Sequence, residues 1–288
     1  MAAQKYAELV KPLYFRGNFM GARANARLLT FMTGDKLCGL DMNFILGVYD
    51  HPGDWAPNRG SHVHPFTEYL LFFGYDPQDM NYLGAELTLA MGEEWEIGRI
   101  TRPSIVIAPE NLPHCPLITE KVEKPFGHLH LAMSAAYSGE RATDKRGDTD
   151  GTKYSHLFKE FKVVPGPGGA DAEQLMTISG ADGLEGYALN FQMGLYKAAG
   201  RWQEGPHSHP YDEIMIFFGH KTDDMTCLGA EITIELGPEH ERHTFDRTTV
   251  VVVPKGTVHF PVTVNRVEYP FRMARVGLAA AYESIPAE

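Results

Sequence analysis

Six of the thirteen histidines in this 288-residue chain fall at spacings that give them chemistry. His62 and His64 are separated by one residue, Pro65 and Glu68 follow, and His114 stands 46 residues beyond the glutamate. The same types recur at the same spacing as His207, His209, Pro210, Glu213 and His259. Imidazoles at i and i+2 of a strand project from one face ~7 Å apart, close enough to converge on one ion. Glu68 cannot join them along a straight strand, because six residues from His62 span ~20 Å. The chain must therefore turn back. Pro65 and Pro210 cannot donate to a sheet ladder and mark where the histidine strand ends. The carboxylate is then expected from the next antiparallel strand, and His114 and His259 from a third, each placed by a proline-bounded turn (Pro109 to Pro113, and Pro254 onward). Three neutral imidazoles and one carboxylate leave two positions open on an octahedral ion. That suits Fe(II), Mn(II), Ni(II) or Co(II) better than a closed structural zinc site, although catalytic Zn(II) accepts the same donors. Two divalent sites are expected, with Fe(II) or Mn(II) favoured, and their open positions admit a substrate or O₂.

The elements that must position these side chains are themselves repeated. At an offset of 145, residues 62–137 align with 207–282, and 29 of the 76 positions are identical. Upstream the match resumes at an offset of 147, pairing Asn43 with Asn190 and Trp55 with Trp202. A period this long makes each copy a complete domain rather than a solenoid unit. The expected division is 1–140 for the first domain, 141–164 for a linker with a short helix at Tyr154–Phe161 lying on the second domain, and 165–288 for the second. Residues 138–152 are almost free of apolar side chains, which suits an exposed connection. Within each copy the pattern is that of strands. Ser104–Ala108 and Thr249–Val253 are β-branched runs closed by proline, and Leu83–Ala90 contains an alternating stretch. Gly and Pro punctuate the chain every 8 to 15 residues, and no amphipathic helix is long enough for βαβ units, so the fold is expected to be all-β.

Composition narrows the partners. Lys and Arg number 26 against 37 Asp and Glu, a net charge of −11, which opposes nucleic acid and anionic membrane surfaces as partners. The longest apolar runs fall far short of the ~20 residues of a membrane helix. The first twenty residues lack an apolar block of the secretory type, and three cysteines are too few for a disulfide framework, so a cytoplasmic location with reduced thiols is expected.

These motifs resemble those of the cupin superfamily, in its two-domain or bicupin form. The first cupin motif is matched by His62, His64, Glu68 and Gly74, and by His207, His209, Glu213 and Gly219, with one residue fewer before the closing glycine. The second is matched by Pro254, Gly256 and His259, whereas the first copy has Asn111 in place of the glycine. Neither copy has the asparagine that often follows the last histidine. The resemblance covers nearly the whole chain and implies two tandem jelly-roll β-barrels, each with a metal. It leaves the reaction open, since cupins include dioxygenases, decarboxylases, isomerases, lyases and storage proteins. A homodimer is a family-level expectation.

Several further residues are candidates for contact with substrate. Arg102 and Arg247 are paired by the repeat and read either as carboxylate clamps or as surface ion pairs. Glu86 and Glu231 read either as an inward base or as part of a solvated strand face. His128 and His130 form a second H-x-H in the first copy, with no nearby carboxylate expected to complete a metal site. The second copy has Met273 and Arg275 there. Arg275 would give the second site a fixed cation for an anionic substrate if its strand faces inward. The expected function is a metal-dependent oxidoreductase of dioxygenase type acting on a small oxygenated or aromatic substrate. The alternatives are a non-redox isomerase, lyase or decarboxylase, and a non-catalytic binding or storage protein.

Overall fold

A computed structural model of the chain describes residues 4–17, 26–55, 60–142 and 152–287. They are built almost wholly of antiparallel strands, with three short 3₁₀ turns. Two compact units result, one of residues 15–161 and the other of residues 1–14 with 162–288. Each unit is two facing antiparallel sheets, the jelly-roll arrangement of a cupin barrel, and the all-β bicupin fold expected from the repeat is present.

In the first unit one sheet runs Phe158–Glu160, Ser104–Ala108, Glu68–Gly74, Phe126–Ala132, Asn43–Tyr49 and Ala26–Met32. Its middle strands are buried along their full length, which explains why Ser104–Ala108 reads as a continuous apolar run rather than an alternating one. The other sheet runs Glu140–Arg141, His62–Val63, His114–Val122, Ala85–Met91 and Glu96–Ile100. The second unit repeats the plan, with Glu213–Gly219 and Phe271–Gly277 central to one sheet and His207–Ser208 beside His259–Val267 in the other. Its core gathers Trp202, Phe217, Phe260, Phe271 and the aliphatic residues of Cys227–Leu236, with Tyr196 stacked on Trp202 at 4.5 Å.

Two segments depart from the expected boundaries. The N-terminal strand Val10–Pro12 pairs with Thr249–Val253 and Leu9 enters the second core, so residues 1–14 belong with the second barrel. Residues 154–161, expected as a helix on the second domain, form a single 3₁₀ turn, Ser155–Leu157, and an edge strand on Ser104–Ala108 of the first. Both segments do the same work, satisfying the open edge of a buried strand. They are also a repeat, because Lys5, Tyr6, Leu9 and Lys11 match Lys153, Tyr154, Leu157 and Lys159 at an offset of 148. Tyr6 lies against Gly237, and Tyr154 against Gly92, at positions a Cβ would fill. Of the exposed connection expected over 138–152, residues 143–151 lie outside the described residues.

Candidate metal centres

The register brings the histidines together. His62 is the direct antiparallel partner of His114, and His207 that of His259. Ligand nitrogens of His62, His64 and His114 lie within 4.8 Å of one another, and so do those of His207, His209 and His259. The glutamates arrive on the next strand of the chain, as expected, but that strand does not pair with the histidine strand. Glu68 and Glu213 begin strands of the opposite sheet, so each carboxylate reaches its triad across the barrel interior. Glu68 lies 3.1 Å from His114 Nε2 and 3.5 Å from His64 Nε2. Glu213 lies 3.4 Å from His209 Nε2 and 3.5 Å from His259 Nε2.

Hydrogen bonding sets the tautomers. The Nδ1 atoms of His62, His64 and His114 donate to the carbonyls of Gly60, Ser138 and Leu112. Those of His207, His209 and His259 donate to Gly205, Glu283 and Thr257. Each ring is thereby held with an Nε2 lone pair facing the centre, the outer-shell arrangement that prepares imidazole for a metal. Gly139 is required for one of these bonds, since a Cβ there would stand 2.5 Å from the His64 ring.

A divalent ion fits this donor set. Nε2 of His207, His209 and His259 and both oxygens of Glu213 are buried without a hydrogen-bond partner, an expensive state that a coordinated cation would relieve. The titration behaviour points the same way. Burial, then the neighbouring imidazoles, lowers His62 to about 3. Burial, then His259, lowers His207 to about 4. Both rings are therefore neutral and able to coordinate at physiological pH. Burial works against ionisation of Glu68 and Glu213, but His130 holds the first below the ordinary carboxylate range, and Arg275 holds the second there.

The two centres differ in what stands beside the glutamate. In the first, His130 Nε2 lies 2.9 Å from Glu68, so the second H-x-H has a nearby carboxylate after all, the metal-site glutamate on the adjacent strand. His128 is set apart from it, packed against Trp55 and Phe72 with Nδ1 on the Leu71 carbonyl. In the second centre Arg275 occupies the His130 position, buried, with Nε 3.8 Å from Glu213 and Nη2 2.6 Å from Glu204. Glu204 was not foreseen. Its Oε1 accepts from Tyr282 at 2.6 Å and lies 3.5 Å from His207 Nε2, and Arg275 holds its carboxyl down at about 2 against the effect of burial.

The remaining expected substrate-binding residues are placed elsewhere. Arg102 is exposed and paired with Glu160 at 3.3 Å, and Arg247 is exposed beside the Tyr14 ring. Glu86 is exposed 3.6 Å from Lys121, and Glu231 sits opposite Arg266 in the register. None of the four is among the residues that the strands bring to the triads, and Arg102 and Glu86 are instead held in exposed ion pairs. Two small cavities lie by these residues, the first lined by two histidines of its triad and the second reaching its centre through Arg275 and Glu204. One of about 300 Å³ is lined by His62, His64, Tyr137 and residues 138–141. The other, of about 430 Å³, is lined by residues that include Asn190, Gln192, Glu204, Arg275 and Tyr282. Among the described residues no helix is long and apolar enough to cross a membrane.

The class these observations define is a two-domain cupin fold with two histidine triads able to hold metal ions. Comparison with solved structures agrees. The chain resembles an oxalate decarboxylase studied for its substrate binding mode and reaction specificity, with a TM-score of 0.62 and 10% identity over 95% of this chain and 77% of that one. It also resembles the Lactobacillus farciminis oxalate decarboxylase formate complex, at 0.61 and 12% over 95% and 86%. Bacillus subtilis oxalate decarboxylase at pH 4.6 matches at 0.58 and 11% over 91% and 74%. At these identities the likeness is one of fold. No family model and no curated protein matches the sequence.

Proposed function

We propose that the chain is a metal-dependent enzyme that cleaves a carbon–carbon bond without net oxidation, a decarboxylase acting on a small carboxylate, with the C-terminal centre receiving the anion. The observation that carries this reading is Arg275, a buried guanidinium within 3.8 Å of the metal-site glutamate and on the wall of the adjoining cavity. Its planar fork matches a carboxylate, and its burial makes the match stronger than a surface pair could be. The structural neighbours named as oxalate decarboxylases, one of them described with Mn(II) centres, support decarboxylation and Mn(II) over the dioxygenase chemistry first expected.

His207, His209, Glu213 and His259 would hold the cation here, and His62, His64, Glu68 and His114 a second. A bound divalent ion supplies Lewis acidity and exchangeable coordination positions. Arg275 orients the substrate carboxylate. When the bond to that carboxylate carbon breaks, its electron pair stays on the neighbouring carbon, CO₂ leaves, and a proton must be delivered to the carbon left behind. Tyr282 stands at the cavity with its hydroxyl donating to Glu204 at 2.6 Å, a phenol in position to supply that proton. The test is anaerobic release of CO₂ from oxalate, 2-oxo acids and other small carboxylates by Mn(II)-loaded protein. Release without oxygen uptake is expected. Turnover that consumes O₂ in proportion to substrate would replace this reading with an oxidoreductase.

A further inference from the structure

Glu204 sits where an incoming carboxylate would. It lies on the short connection between the buried Trp202 and the ligand His207, and its side chain is 34% exposed, while that of Arg275 is 6% exposed. Both of its oxygens face Arg275, at 2.6 Å from Nη2 and 3.4 Å from Nη1, which is the two-pronged grip expected for a bound anion. The Tyr282 hydroxyl donates to it at 2.6 Å, and the metal-facing nitrogen of His207 is 3.5 Å away. Cation, phenol and metal-side imidazole therefore converge on one carboxylate, and that carboxylate belongs to the protein. It lines the cavity rather than the core. Gly205 follows it, with open space along its Cβ direction.

We propose that Glu204 is an internal stand-in for the ligand, filling the carboxylate subsite of the C-terminal centre until a substrate or product carboxylate displaces it toward solvent. The inference rests on the reading of that centre as one that receives a carboxylate, and it goes further by making the free site self-occluded. Arg275 keeps a partner throughout, because Glu213 remains beside it when Glu204 leaves. The buried guanidinium is never stranded. A competitor built into the chain lowers the apparent affinity for every carboxylate by the fraction of time it occupies the subsite. It also excludes neutral molecules that cannot compete for the guanidinium.

The experiment measures binding, so its outcome is separate from any turnover assay. Acetate and oxalate, with acetamide as the neutral counterpart, are titrated calorimetrically into the full chain, metal-free and Mn(II)-loaded, for the native protein, Glu204→Gln and Glu204→Ala. Both variants are expected to bind acetate at least about tenfold more tightly, equivalent to ~1.4 kcal/mol, with acetamide unchanged and the metal content intact. Unchanged or weaker acetate binding in both variants overturns the inference, since Glu204 would then be part of the binding surface or indifferent to it. Loss of metal from the C-terminal centre in Glu204→Gln also overturns it, by making the residue a ligand. If acetate binding tightens while no carboxylate is decarboxylated, the self-occluding site stands and the proposed reaction falls.

Discussion

Replacing Arg275 by glutamine tests the electrostatics of the C-terminal centre in both of its states. In the metal-free protein Glu213 is fully buried and Arg275 is the cation that compensates it, 3.8 Å away. Coulomb's law with an effective dielectric near 20 gives about 4 kcal/mol for such a pair. Removing one partner of a buried ion pair costs about 3–5 kcal/mol when the other charge is left behind. Arg275→Gln should therefore destabilise the metal-free C-terminal unit by that amount. A divalent ion takes over the compensation of Glu213, and with the guanidinium gone it meets less repulsion. Metal should then bind the variant about tenfold more tightly than the native protein, a difference of ~1.4 kcal/mol. The assay is urea unfolding with and without saturating Mn(II), in a background where Trp55 and Trp95 are phenylalanine. Fluorescence then reports Trp202, inside this unit, alone. A loss below about 1 kcal/mol in the metal-free variant, or equal metal stabilisation of variant and native protein, would refute the reasoning.

Gly139→Ala should empty the first centre and spare the second, because the added Cβ lands 2.5 Å from the His64 ring and breaks its alignment; metal counts per chain fall from two to one. Metal-free protein should lose stability as the pH drops from about 6.5 toward 4. His62, His64, His207 and His209 are held below their ordinary value by burial, so the unfolded chain binds protons first and stability rises with pH across that window. Below about 4.5 the depressed Glu68, Glu204 and Glu213 extend the loss. Unfolding midpoints measured in chelator at several pH values check this, and a flat profile between 6.5 and 4 would contradict it. Arg102→Ala and Glu86→Ala should leave metal content and turnover at native levels, since both side chains sit in exposed pairs with Glu160 and Lys121. A large loss of turnover in either would restore the substrate-facing role that the geometry denies them.

The gathering of the two histidine triads was legible because polar side chains inside apolar strands are rare, and their spacing was repeated intact. Which sheet carries the glutamates was not legible. The turn after Pro65 leads into the opposite sheet, and linear spacing cannot distinguish a hairpin from a crossing between sheets. The edge-covering segments were hidden because Lys5–Lys11 and Lys153–Lys159 align at an offset of 148, away from the main register of 145. Arg275 was visible as a break in the repeat, where a cation replaces His130, but its partner Glu204 lies in the stretch where the two copies differ in length. The carboxylate beside His130 was missed for a related reason. It is the metal-site glutamate itself, brought there by the pairing of Glu68–Gly74 with Phe126–Ala132, and no short-range pattern encodes that contact.

Direct metal analysis of the purified and Mn(II)-loaded chain, alongside His62→Ala and His207→Ala, bears most immediately on the two centres. Two equivalents are predicted in the native protein and one in each variant, with the two losses additive in the double substitution. Fewer than one equivalent after loading, or full retention in both variants, would mean that the triads do not hold the ions on which the proposed chemistry depends.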